Sequence, residues 1–184
     1  MAKTEKAVFR VRIRGTLEAV WREITKTDER QACMFNARMH TDGLAPGGQI
    51  RMRTESGKFT SVVGEVLVFE PPRRFSHTMR FTAYDDPPCI VTYQLNEVEA
   101  GVVEFTLTCE NIPSGTKTAK DMKRGGNMIV KTLKVVVETG RPTLATRLLY
   151  VFFGLMEPVM PKRARSENWP LDRRAEELPQ GRAS

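Results

Sequence analysis

The chain has 184 residues, 40% of them apolar and 28% charged, and a formal charge of +7. That length and balance fit one domain with a full core and exclude wholesale disorder. The basic excess opens three readings, nucleic acid, an anionic surface or plain solubility, and position decides among them. Arg10, Arg12 and Arg14 alternate with Phe9, Val11 and Ile13, which is the outer row of an amphipathic strand. Arg51, Arg53, Lys162, Arg163, Arg165, Arg173 and Arg174 are interrupted by acids or apolar positions. No helix-turn-helix, zinc-finger or aromatic-basic signature accompanies them, so nucleic acid is not an expected partner.

Taken in chain order, two-residue alternation marks a strand from Ala7 to Arg14, ended by Gly15. Thr16 is placed to cap a helix whose stripe is Leu17, Val20, Trp21 and Ile24, and a second short helical piece is expected over about Asp28 to Met34. Strand texture follows for some seventy positions: Ala37 to Thr41, Gln49 to Thr54, Phe59 to Phe69, Arg73 to Phe81, Ile90 to Glu97 and Val102 to Glu110. The separators are Asp42-Gly43, Pro46-Gly47-Gly48, Ser56-Gly57, Pro71-Pro72, Asp85-Asp86-Pro87-Pro88 and Ala100-Gly101, all turn chemistry. Short connections predict an antiparallel meander.

After Pro113-Ser114-Gly115 the period becomes helical, with Met122, Gly126, Ile129, Leu133 and Val136 on one face. Each glycine of the Gly125-Gly126 pair costs about 1 kcal/mol inside a helix, so the main helix is expected to begin just after it. The alternative is that the glycines let backbone approach the sheet or a ligand. Gly140, Arg141 and Pro142 end that helix, and Thr143 can cap another containing Leu144, Leu148, Leu149, Val151, Phe152, Phe153, Leu155 and Met156. This helix is apolar nearly all round, yet at 1.5 Å per residue it reaches only about 20 Å, too short to span a bilayer. It must be covered by its own domain, by a second copy in a homodimer through Leu144–Met156, or by a membrane surface, in that order of preference. The expected organisation is a domain over 1–140, the added apolar helix over 141–160, and an extended, partly disordered arm over 161–184.

Several segments carry a resemblance: Val20-Trp21-Arg22-Glu23-Ile24, Pro46-Gly47-Gly48, and Gly64-Glu65-Val66 leading into Glu70-Pro71-Pro72-Arg73-Arg74-Phe75. With the order strand, two helices, meander, long helix, the chain resembles the polyketide cyclase, lipid-transfer and Bet v 1-like superfamily over about residues 7 to 138. The branch is the one related to the C-terminal domain of the activator of heat-shock protein 90 ATPase. The resemblance implies an α+β helix-grip fold. In it a curved antiparallel sheet of about seven strands wraps a long C-terminal helix, with two short helices after the first strand. Thr78-Met79 stands where relatives often have Thr-Trp, and the late helix and arm lie outside the usual domain. The family implies a cavity between sheet and helix for a hydrophobic or amphipathic small molecule, without implying a fixed reaction.

Alternation puts Phe75, His77, Met79 and Phe81 on one face of the sheet, with Val91, Tyr93 and Leu95, and Val103, Phe105, Leu107 and Cys109. The expected ligand cavity is lined by Phe75, His77, Met79, Phe81, Tyr93, Phe105, Leu107, Ile129 and Leu133. A fully packed core is the competing reading. His77 is a titratable group on that apolar face, either a hydrogen-bonding or acid-base group or a core histidine satisfied by Tyr93 or backbone.

Two histidines and three scattered cysteines, Cys33, Cys89 and Cys109, give no ligand spacing and no nucleophile motif, so no metal, cofactor or catalytic residue is expected. The opening MAKTEKAVF has no secretory apolar stretch, and cytoplasm is the expected location. The leading expectation is therefore a hydrophobic-ligand binding protein. A cyclase- or dehydratase-like enzyme using His77 and Tyr93, and an ATPase activator that binds a protein partner, are the alternatives.

Overall fold

Period-two alternation becomes strand wherever the sequence carries it, in a computed structural model that describes residues 3–171. The strands are β1 (Thr4–Arg14), β2 (Arg30–Gln31), β3 (Ala37–Thr41), β4 (Gln49–Arg53), β5 (Thr60–Glu70), β6 (Arg74–Phe81), β7 (Cys89–Glu99) and β8 (Val102–Pro113). They form one curved antiparallel sheet in the order β1-β8-β7-β6-β5-β4-β3-β2. From β2 to β8 this is a plain meander, and β1 closes onto the last strand, pairing Phe9 with Leu107 and Ile13 with Val103. The β5–β6 turn carries a cis peptide between Pro71 and Pro72.

Three α-helices among the described residues accompany the sheet: α1 (Leu17–Thr25), α2 (Lys117–Thr139) and α3 (Leu144–Met156). Each begins on a threonine whose hydroxyl accepts a backbone N–H: Thr16 from Ala19, Thr116 from Ala119 and Thr143 from Thr146. α2 stops at Gly140, whose φ of 79° is the left-handed conformation that a C-terminal glycine supplies. α1 buries Val20, Trp21 and Ile24. α2 crosses the concave face of the sheet, and Phe75, Leu95, Phe105 and Leu133 are wholly buried between them.

Three expectations change. The second helical piece shrinks to a single 3-10 turn at Ala32–Met34, because Arg30–Gln31 pairs with Ala37–Arg38 as an eighth, two-residue strand. α2 runs straight through Gly125-Gly126, because Gly126 is where the helix backbone meets the Phe9 ring: an added Cβ would lie 2.2 Å from its Cε2. Its buried row is Met122, Gly126, Val130 and Leu133, with Val137 against the core, so Ile129 and Val136 are only partly buried.

α3 has the bounds expected of it, yet only Tyr150 is buried, its hydroxyl donating to the Ala32 carbonyl. Glu157, just beyond, accepts from the Ser56 hydroxyl and, at 3.3 Å, from its N–H. The following residues, expected as an extended arm, make 3-10 turns at Lys162–Ala164 and Ser166–Asn168. They dock there: the Ser166 N–H donates to the Lys58 carbonyl, Arg163 pairs with Asp85, and Arg80 lies over the Trp169 ring. The rest of the arm expected over 161–184, from 172 onward, lies outside the described residues, and with it the end expected to be disordered.

Candidate functional site

The curved sheet and α2 diverge toward the strands β3 to β6, leaving a cavity of about 460 Å³. Its sheet wall is Met39, Ile50, Met52 and Val62 with His77, Met79 and Phe81 of β6 and Tyr93 of β7. Its other walls are Gln31 of β2, Met34 and Phe35 after it, Asp121, Arg124, Gly125 and Met128 of α2, and Phe153 of α3. A smaller hollow of about 250 Å³ shares Phe35, Ala37, Ser61 and Phe153 and continues under α3 to Tyr150 and Glu157. Phe35 and Phe153, with ring centroids 6.5 Å apart, thus stand between the two spaces.

The candidate residues divide between this wall and the solid core beside it. His77, Met79, Phe81 and Tyr93 are in the wall. Phe75, Phe105, Leu107 and Leu133 are at most 2% exposed and lie outside the lining, while Ile129 is partly buried and also outside it. The physical reason is that α1 and a chain of rings fill that end. Trp21 meets Phe69 at 5.3 Å, Phe69 meets Phe75 at 5.5 Å, Phe75 meets Tyr93 at 5.6 Å, and Tyr93 stacks on Phe105 at 6.0 Å.

Sequence reasoning named none of the wall contributed by β3, β4 and the β2 segment. The signal was present: Ala37 and Met39, and Ile50 and Met52, each sit two residues apart on short strands, the spacing of one sheet face.

Besides Ser61 and the α2 pair Asp121 and Arg124, two buried polar features interrupt the apolar wall. His77 Nδ1 lies 2.8 Å from the Thr78 carbonyl oxygen, which only accepts, so Nδ1 carries the hydrogen. Nε2 is then the acceptor, and it faces the Tyr93 hydroxyl at 3.4 Å. Burial pushes the imidazole down from 6.5 to about 4, a shift opposed in part by the Thr78 carbonyl. Burial likewise pushes the Tyr93 phenol up. Both groups are therefore neutral near pH 7, a pair suited to hydrogen bonding and poorly matched to proton transfer. The second feature is Gln31, which is wholly buried. Its amide nitrogen donates to the carbonyls of Lys26 at 2.8 Å and Ile24 at 3.3 Å, while its Oε1 has no partner among the described residues.

At the rim, Tyr84 donates to the Asp121 carboxylate at 2.7 Å, which raises the phenol to about 12. The three cysteines are buried free thiols, and burial lifts each above its ordinary value, Cys89 to about 11 and Cys109 to about 12, which leaves them unreactive. Among the described residues no group of three or more His, Cys, Asp or Glu side chains could hold a metal ion. No helix among them is long and apolar enough to cross a membrane.

An antiparallel sheet gripping one long helix, with an apolar hollow between them, defines a helix-grip protein. The family model described as activator of Hsp90 ATPase homolog 1-like protein matches residues 14–138, and the chain belongs to that family. Solved structures show the same fold at low sequence identity. CalU16 from Micromonospora echinospora has a TM-score of 0.58 at 17% identity, over 85% of this chain and 87% of that one. An Hsp90 activator from Plasmodium falciparum has 0.60 at 17%, over 74% and 97%. The Aha1 dimer from Colwellia psychrerythraea has 0.61 at 18%, over 74% and 98%. A search of curated proteins gives no match.

Proposed function

We propose that this chain binds an apolar small molecule in the cavity between β3–β6 and α2, and that it acts by binding rather than by catalysis. The observation that carries this reading is an apolar hollow of about 460 Å³, within the usual range for small-molecule sites, interrupted by only a few polar groups. The ligand fits as a mostly apolar body that offers a hydrogen-bond donor to Gln31 Oε1 and a polar atom to the His77–Tyr93 pair. The neutrality of that pair supports binding over a cyclase- or dehydratase-like reaction.

Native mass spectrometry of gently purified protein, followed by titration with an environment-sensitive naphthalene dye, tests the reading. A co-purifying small molecule, or saturable dye binding that is lost in Ala37→Leu with the fold retained, is expected. Neither a bound species nor dye binding in the wild type would overturn it.

Family membership supports a second reading, a protein partner of the Hsp90 type. The exposed row Arg10, Arg12 and Arg14 on β1 suits an acidic docking partner. Reversal of those three charges should then abolish pull-down of such a partner, and unchanged recovery counts against it.

A further inference from the structure

We infer that α3 is a membrane-docking element that lays its outward face on an anionic lipid surface. Leu144, Leu148, Val151, Phe152, Leu155 and Val159 are all between 54% and 73% exposed. At 100° per residue the helical members fall on one side, opposite Tyr150, which is the side chain that anchors the helix to its domain. A continuous outward apolar stripe of this kind marks an interaction surface rather than ordinary scatter.

Charge selects the occupant. α3 contains no acidic residue, and its one charged residue, Arg147, stands at the edge of the stripe. Arg141 immediately precedes the helix. The guanidinium groups of Arg141 and Arg147 make no ion pair or hydrogen bond among the described residues. Of the nearby acids, Glu55 pairs with Arg30 and Glu138 with Lys134, while Glu157 is turned inward onto the Ser56 hydroxyl. The surface is therefore oily at its centre and edged by uncompensated cations. A second copy packed α3 against α3 would bring the same cations and no acidic side chain of α3 to meet them. A bilayer containing acidic phospholipid supplies both the hydrocarbon and the negative charge. At about 20 Å the helix is too short to cross, so it lies in the interfacial plane.

The test is flotation of the full chain with vesicles of phosphatidylcholine alone and of phosphatidylcholine mixed with phosphatidylglycerol, alongside light scattering in the absence of lipid. Binding to the mixed vesicles alone, weakened by salt, is expected. Arg141→Gln and Arg147→Gln should each weaken it about fivefold. Leu148→Asp combined with Leu155→Asp should weaken it by more than about tenfold with an unchanged thermal midpoint, since both side chains already face solvent. Dye binding in the cavity should survive that double change, so failure here is separable from failure of the ligand reading. Absence of flotation, equal flotation with phosphatidylcholine alone, or a stable dimer that Leu148→Asp dissociates would each overturn the inference.

Discussion

The Gly126 backbone lies against the edge of the Phe9 ring so closely that a methyl group there would stand 2.2 Å from Cε2 and 2.5 Å from Cζ. Phe9 belongs to β1 and points inward opposite Leu107 of β8, so the contact fixes how near α2 approaches the closing strand pair. Gly126→Ala should therefore destabilise the protein by about 1–3 kcal/mol, although alanine is the better helix former, because overpacking outweighs the propensity gain. Gly125→Ala meets only the partly exposed Phe35 ring, at 3.3 Å, and should be neutral or stabilising by up to about 1 kcal/mol. Urea unfolding midpoints of the two variants make the comparison.

Acid should weaken the fold through His77. The unfolded imidazole titrates near 6.5 and the folded one near about 4, so between these values the unfolded chain binds more protons. Stability is then fully present above 6.5 and is lost progressively as pH falls to about 4, by on the order of 3 kcal/mol in all. His40, lowered by partial burial and by Arg53 and Arg38, acts in the same direction. His77→Gln should flatten the acid limb of stability against pH, measured as urea midpoints between about pH 7 and about pH 4.

Gln31 holds the end of α1 by donating to the Ile24 and Lys26 carbonyls. Gln31→Leu leaves those acceptors without their donor and should cost about 1–3 kcal/mol. Hydrogen exchange should also quicken selectively around residues 24 to 31, with little change in α2.

A buried ion pair sits beside it, Lys26 Nζ to Glu23 Oε2 at 2.7 Å, with side chains 11% and 9% exposed. Lys26→Met alone should cost about 3–5 kcal/mol by stranding the carboxylate, whereas Lys26→Met with Glu23→Met should come within about 1 kcal/mol of the wild type. A double-mutant cycle on thermal or urea stability reads the coupling directly.

The architecture was legible wherever a period ran long enough. β7 alternates from Cys89 to Asn96 and β8 from Val102 to Glu110, and α3 runs from Leu144 to Met156 because Gly-Arg-Pro precedes it and Thr143 caps it. β2 was not legible, since a two-residue strand has no period and is held by pairing with Ala37 and Arg38. The start of α2 was misjudged because helix propensity is local, while the demand for glycine at 126 comes from Phe9, more than a hundred residues earlier. Alternation likewise tells which side chains face inward but not where the inner volume is filled. Phe75 and His77 have the same facing and nearly the same burial, yet one lies among Phe69 and Tyr93 and the other opens on the hollow.

The pairing of Thr4 with Pro113 in the β1–β8 ladder has a consequence for biosynthesis. The strand made first cannot find its neighbour until the last has been translated, on the order of ten seconds later at ordinary elongation rates. During that interval the oily side of β1, Phe9 and Val11 and Ile13, has no native cover from β8, and the arginines between them place charge where it opposes sticking to other chains.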